Sequence, residues 1–122
     1  MNSIMPGYII AAIDDLFFAS KIRATGESLG VEVKFVRNAD AAMAAAKERR
    51  PDLIIVNLQA DYALNLARTV GADADLKLVP LLGFYSHVET ELQQQAREAG
   101  YTNVLPRSAF TARLPEILLG NL

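Results

Sequence analysis

The sequence predicts an α/β domain built on a doubly wound parallel sheet. Three observations carry this: short apolar runs recur along the chain, stretches of helical apolar spacing separate them, and turn signals mark the joints. Strands buried on both faces read as near-continuous apolar runs. Parallel neighbours need crossovers, and right-handed crossovers place helices on both sides of the sheet.

Residues 8–13 (YIIAAI) read as the first buried strand. In residues 16–29, Phe18, Ile22 and Leu29 recur at helical spacing, and Gly30 stands where a helix end favours positive φ. Residues 31–36 (VEVKFV) alternate apolar and polar, as in a half-buried edge strand. Asn38 is a good N-cap for an Ala-rich helix that runs to Arg50, with Ala42, Met43 and Ala46 on one face and Pro51 beyond its end.

The third strand covers 53–58 (LIIVNL), with Asn57 as its one polar residue. A short helix over 62–70 presents Leu66, Ala67 and Val70, and GADADLK reads as a loop. Residues 78–84 (LVPLLGF) are expected as the fourth strand, with Pro80 near its start. Ser86-His87-Val88-Glu89 has the pattern of a capping box, which would open the fourth helix with His87 in its first turn. The stripe Val88, Leu92, Ala96 and Ala99 follows and ends at Gly100. A fifth strand covers 103–105, and a last helix runs to about Leu119, where Pro115 fits only a first turn.

The composition bounds the function. The chain has 122 residues, enough for one domain, and 52% of them are hydrophobic against 21% charged, a globular balance. A net charge of −2 supplies no basic field for nucleic acid. No cysteine is present, which rules out disulfides and thiolate metal sites. The start, MNSIMPG, lacks the features of a signal peptide, and no apolar stretch approaches the length of a membrane helix. A cytoplasmic protein is therefore expected. HExxH, GxSxG and Walker patterns are absent, and GESLG falls within and after a helix, not after a strand.

In doubly wound sheets, ligands bind beyond the carboxyl ends of the strands, where the winding reverses. Here those ends are Asp14-Asp15, Asn57, Tyr85-Ser86 and Pro106-Arg107. An acidic pair, an amide, two hydroxyls and a guanidinium come from four separate stretches.

Over about residues 8–119, the lines IIAAIDD, PDLIIVNL, VPLLGFYS and AGYTNVLPRSAF resemble the response-regulator receiver family. The resemblance implies the flavodoxin-like (CheY-like) fold, (βα)5 with strand order 2-1-3-4-5, for residues 8–122 after an N-terminal extension of 1–7. In that family two acidic residues after the first strand bind a divalent ion, usually Mg²⁺. An Asp at the end of the third strand accepts the phosphoryl group, a Thr or Ser closes the fourth, and a Lys-Pro follows the fifth.

This chain departs from that pattern at most positions. Counting back from Gly30, the acidic positions fall on Ile13 and Asp14; a shift of one gives Asp14 and Asp15 instead. The acceptor position holds Asn57, the hydroxyl position Tyr85 with Ser86 beside it, and the lysine position Arg107 followed by Ser108. The family's aromatic switch position holds Val104. An amide is not a phosphoryl-accepting nucleophile. Loss of carboxylates also weakens a site for a hard cation, so no cofactor is expected and Asp14 and Asp15 remain only weak Mg²⁺ candidates. Arg107 is expected to pair with Asp14, Asn57 to bond loop backbone, and Tyr85 to fill the vacated space with its ring.

The resulting expectation is a non-enzymatic pseudo-receiver, with no output domain, that acts through contact with a protein partner. The family's use of the face formed by helix 4, strand 5 and helix 5 extends this to a homodimer through that face. Two alternatives stay open: a phosphorelay receiver with another acceptor such as Ser86, and a small-ligand domain using a cleft over Asp14, Asn57 and Arg107.

Overall fold

The structure is a computed structural model that describes residues 7–122; most of the expected extension, residues 1–6, lies outside the described residues. The elements are β1 (Tyr8–Ala12), α1 (Leu16–Leu29), β2 (Glu32–Val36), α2 (Ala39–Glu48), β3 (Leu53–Asn57), α3 (Ala63–Ala72), β4 (Leu81–Tyr85), α4 (Thr90–Ala99), β5 (Asn103–Pro106), α5 (Arg107–Ala112) and α6 (Leu114–Leu118). All strand pairs are parallel and the order is β2-β1-β3-β4-β5. This is the flavodoxin-like, CheY-like topology that the resemblance implies.

Successive residues of a strand point to opposite faces, and the central strands bury both. Ile9, Ala11 and Ile13 of the first stretch join Phe18, Ile22, Ile55, Phe84, Phe110 and Ile117 in a core beneath α1, α5 and α6. Tyr8, Ile10 and Ala12 join Ala42, Ile54, Val56, Leu66, Val70 and Ala96 in a second core beneath α2, α3 and α4. In the first core the rings of Phe18, Phe84 and Phe110 meet with centroids 5.0, 5.2 and 5.5 Å apart. Such pairs add about 0.5–1.5 kcal/mol each beyond the area they bury.

Several local expectations hold. Gly30 ends α1 with φ 73°, and the next amide, of Val31, donates to Gly26 O at 2.8 Å. Asn38 caps α2 by accepting from the Ala41 N–H at 2.7 Å. β2 lies at a sheet edge.

Other boundaries move, for identifiable reasons. α2 stops at Glu48, before Arg50. Arg49 is extended there, paired with Glu32 at 2.8 Å and stacked 3.9 Å from the Tyr8 ring centroid. α3 continues to Ala72, past its expected end at residue 70. β4 begins at Leu81, leaving Pro80 outside it and Leu78 79% exposed. Asp73 organises the preceding residues as turns, accepting the amides of Asp75, Leu76 and Lys77. The expected capping box does not form: α4 begins at Thr90 after Glu89, without a side-chain cap, and His87 precedes the helix. The single last helix is two short ones that meet at Arg113, and Pro115 sits in the first turn of α6.

Candidate functional site

The winding reverses between β1 and β3, because β1 turns to β2 on one side and meets β3 on the other. The carboxyl ends of β1, β3, β4 and β5 surround that point.

β1 ends at Ala12, and Ile13 continues its alternation into the core, 3% exposed. Its side chain is therefore turned away from the strand-end surface. Asp14 follows beyond the strand and is exposed. Burial pushes the Tyr62 hydroxyl pKa up, and the carboxylates of Asp14 and Asp61 add to the rise. Tyr62 is thus a neighbour of the site that its sequence position did not announce.

Asp15 is the N-cap of α1. Its Oδ1 accepts from the Phe18 N–H at 3.1 Å, satisfying one of the free amides of the first turn. Its Oδ2 accepts from Arg107 Nη2 at 3.3 Å. The Phe18 amide, and after it Arg107, hold the Asp15 carboxyl below the ordinary carboxylate value despite some desolvation. The expected Arg107–Asp14 pair is therefore replaced by Arg107–Asp15. The reason is local: Arg107 begins α5 with its guanidinium 4.1 Å from the centre of the Phe18 ring, beside the first turn of α1 that Asp15 caps.

Asn57 ends β3 and is half-buried. Its Oδ1 accepts from the Gln59 N–H at 3.0 Å, and its carbonyl accepts from the Ala60 N–H at 3.1 Å. Tyr85 ends β4, half-buried, and packs with Val104 of β5 against the core beneath α2, α3 and α4. Ser86 is exposed, and its backbone N–H donates 2.9 Å to Gln59 Oε1.

Gln59 is a second residue that sequence reasoning missed. It follows an apolar strand in a polar loop, and only the three-dimensional closeness of two loops gives it a role. Its Nε2 also donates to His87 O at 3.2 Å and reaches Glu89 Oε2 at 3.5 Å.

The donor set does not fit a resident Mg²⁺. A hard cation wants several anionic oxygens around one point. Ile13 is buried, the Asp15 carboxylate serves the α1 cap and Arg107, and Asn57 Oδ1 serves Gln59. That leaves Asp14. Among the described residues, no three Asp, Glu or His side chains form a group that could hold a metal. Asp14 and Arg107 line different hollows. The hollow beside Asp14, about 150 Å³, is lined by Ile13, Leu16, Ala19, Ser20, Arg23, Phe35 and Arg37.

No protein-family model and no curated protein sequence matches this chain. Solved structures do. A response regulator from Hahella chejuensis superposes with a TM-score of 0.84 at 18% identity, covering 95% of each chain. The chemotaxis response regulator CheY4 of Vibrio cholerae gives 0.83 at 21% identity, over 97% of this chain and 100% of its own. The receiver domain of a sensor histidine kinase from Pseudomonas aeruginosa, with magnesium in its active-site cleft, gives 0.81 at 22% identity over 93% and 95%. At these identities the likeness establishes the fold: the chain has the architecture of response-regulator receivers.

Proposed function

We propose that this chain is a cytoplasmic, non-enzymatic receiver-like module of a two-component or phosphorelay pathway that signals by protein contact without phosphoryl transfer. The receiver fold supports the first part. The observation that carries the second is Asn57 at the end of β3, where the resemblance calls for a carboxylate nucleophile. An amide oxygen already accepting the Gln59 N–H is neither charged nor free to attack phosphorus. Arg107 does not substitute for the missing chemistry, because its guanidinium is engaged with Asp15 and the Phe18 ring.

Output then depends on a surface. The face made by α4, β5 and α5 is the one that the resemblance favours. It suits a polar contact: Glu91, Gln94, Gln95, Arg97 and Glu98 of α4 are exposed. A partner protein or a second copy of the chain would meet it there.

The test is intact-mass analysis after incubation with acetyl phosphate and Mg²⁺, paired with light scattering on the untreated protein. No added phosphate is expected. A hydroxylamine-labile adduct would mean that an acyl phosphate forms and that the reading is wrong. A hydroxylamine-resistant adduct on Ser86 would point to the atypical-acceptor alternative.

A further inference from the structure

We infer that Gln59 is a permanent strap that holds residues 86–89, between β4 and α4, in one conformation. β3 and β4 are parallel neighbours with Asn57 opposite Phe84, so the loops that leave their carboxyl ends run side by side. The Gln59 amide spans them. Its oxygen accepts from Ser86 N–H at 2.9 Å and its nitrogen donates to His87 O at 3.2 Å. One group thus satisfies a backbone donor and a backbone acceptor of adjacent residues, and only a side chain with both functions can do so.

The strap is anchored at its base. Asn57 Oδ1 takes the Gln59 N–H, and the Leu58 N–H donates to Phe84 O at 2.9 Å. The Leu58 side chain is buried against Gly83. The backbone of Gln59 is therefore fixed before its amide reaches across. The residues it holds have little else to order them. Ser86, His87, Val88 and Glu89 are all exposed, and the helix after them lacks a side-chain cap. Among the described residues, the hydrogen bonds made by the backbone of residues 86–88 go to Gln59.

The consequence concerns regulation and rests on the reading given under Proposed function. A loop held by a side chain that is always present needs no added group to order it. The start of α4 is then presented constantly, and the module is fixed in one signalling state.

The experiment is ¹⁵N NMR on the full chain, without partner or phosphodonor. It compares the parent protein with Gln59→Met, which keeps the length of the side chain, and with Gln59→Glu, which keeps the acceptor but not the donor. In Gln59→Met, the Ser86 amide should exchange about tenfold faster or more, as expected when the loop loses two hydrogen bonds. Order parameters should fall across residues 86–89, while the amides of β3 keep their protection. Gln59→Glu should keep part of the Ser86 protection while His87 and Val88 become mobile, with the new charge beside Glu89. Unchanged Ser86 exchange and order in Gln59→Met would overturn the strap. So would an equal loss of protection in β3, which would make Gln59 a general packing residue. Neither readout involves phosphate or a partner, so the strap and the proposed function can fail separately.

Discussion

Asp15 and Arg107, 92 positions apart in sequence, meet at 3.3 Å above the Phe18 ring and join the start of α1 to the start of α5. The pair is half-exposed, with side chains 43% and 40% accessible, so salt screens it and its contribution to stability is small. Its pH dependence has a definite sign. The Asp15 pKa is lowered in the folded state, chiefly by the Phe18 amide and then by Arg107. Its contribution is therefore complete above the unfolded carboxylate value, about 3.9, and is lost as pH falls through the lower folded value. Melting temperature measured from neutral pH to strong acid should fall more steeply below about pH 4 for the parent than for Asp15→Asn. Parallel curves would mean that Asp15 gains nothing from its two partners.

Gly83 and Leu58 provide a sharper test of packing. A Cβ on Gly83 would lie 2.6 Å from Leu58 Cγ, inside van der Waals contact, and Leu58 is fully buried. Gly83→Ala should destabilise the fold by about 1–3 kcal/mol, the usual range for overpacking a core. Adding Leu58→Ala should cost less in this background than in the parent, because the two side chains compete for one volume. Denaturant unfolding of the four-member cycle checks both statements, and additive effects would refute the competition.

The fold was legible where side-chain periodicity carries it. The runs around Ile9, Ile54 and Leu82 marked buried strands, and Gly30 and Asn38 marked helix ends, because burial and capping are local demands on residue type. The site was less legible because it depends on single-residue register. Asp14 and Asp15 look equivalent in sequence, yet Ile13 turns into the core and Asp15, not Asp14, opens α1. Arg107 consequently finds Asp15. The capping-box pattern at Ser86 misled for a related reason: the Ser86 N–H is bonded to Gln59, and α4 starts four residues later, at Thr90. Residues distant in sequence made that choice.

Millimolar Mg²⁺ should leave the melting temperature unchanged within error. A ligand that binds only the native state raises stability by RT ln(1 + [L]/Kd), so a functional site would register clearly. With Ile13 buried and Asp15 engaged by Phe18 and Arg107, Asp14 is what remains of the expected acidic positions after β1. A saturable rise in a thermal-shift titration would contradict this and would place a cation at the strand ends.

Asn57→Asp should not restore a working switch. The change is nearly isosteric, and a carboxylate oxygen can still accept the Gln59 N–H that Asn57 Oδ1 accepts at 3.0 Å. It returns a second anionic group to the end of β3, beside β1 and Asp14, and a pair of like charges there favours a divalent cation. Some Mg²⁺ affinity is therefore expected in the variant. Switching requires more, namely an element with two states whose balance a phosphoryl group shifts. In the receivers that this chain resembles, that element couples a strand-4 hydroxyl to an aromatic side chain on strand 5. Here Tyr85 is already packed against the core, and its companion on β5 is Val104, which has no ring to move. Ser86 and His87 are in addition bonded to Gln59, which the substitution leaves in place. Arg107 is already paired with Asp15 and stacked on the Phe18 ring, so the new carboxylate has to compete for it. NMR shift mapping of Asn57→Asp with Mg²⁺ and beryllofluoride should accordingly show changes confined to the ends of β1, β3 and β4. Shifts that spread across α4 and β5 would mean that the two-state element survives and that loss of the acceptor carboxylate alone silences it. The double variant Asn57→Asp, Gln59→Met separates the two obstacles. If releasing the strap lets the shifts reach α4, the fixed loop is what blocks the response; if they remain confined, the packed Tyr85 and the missing aromatic ring at Val104 block it.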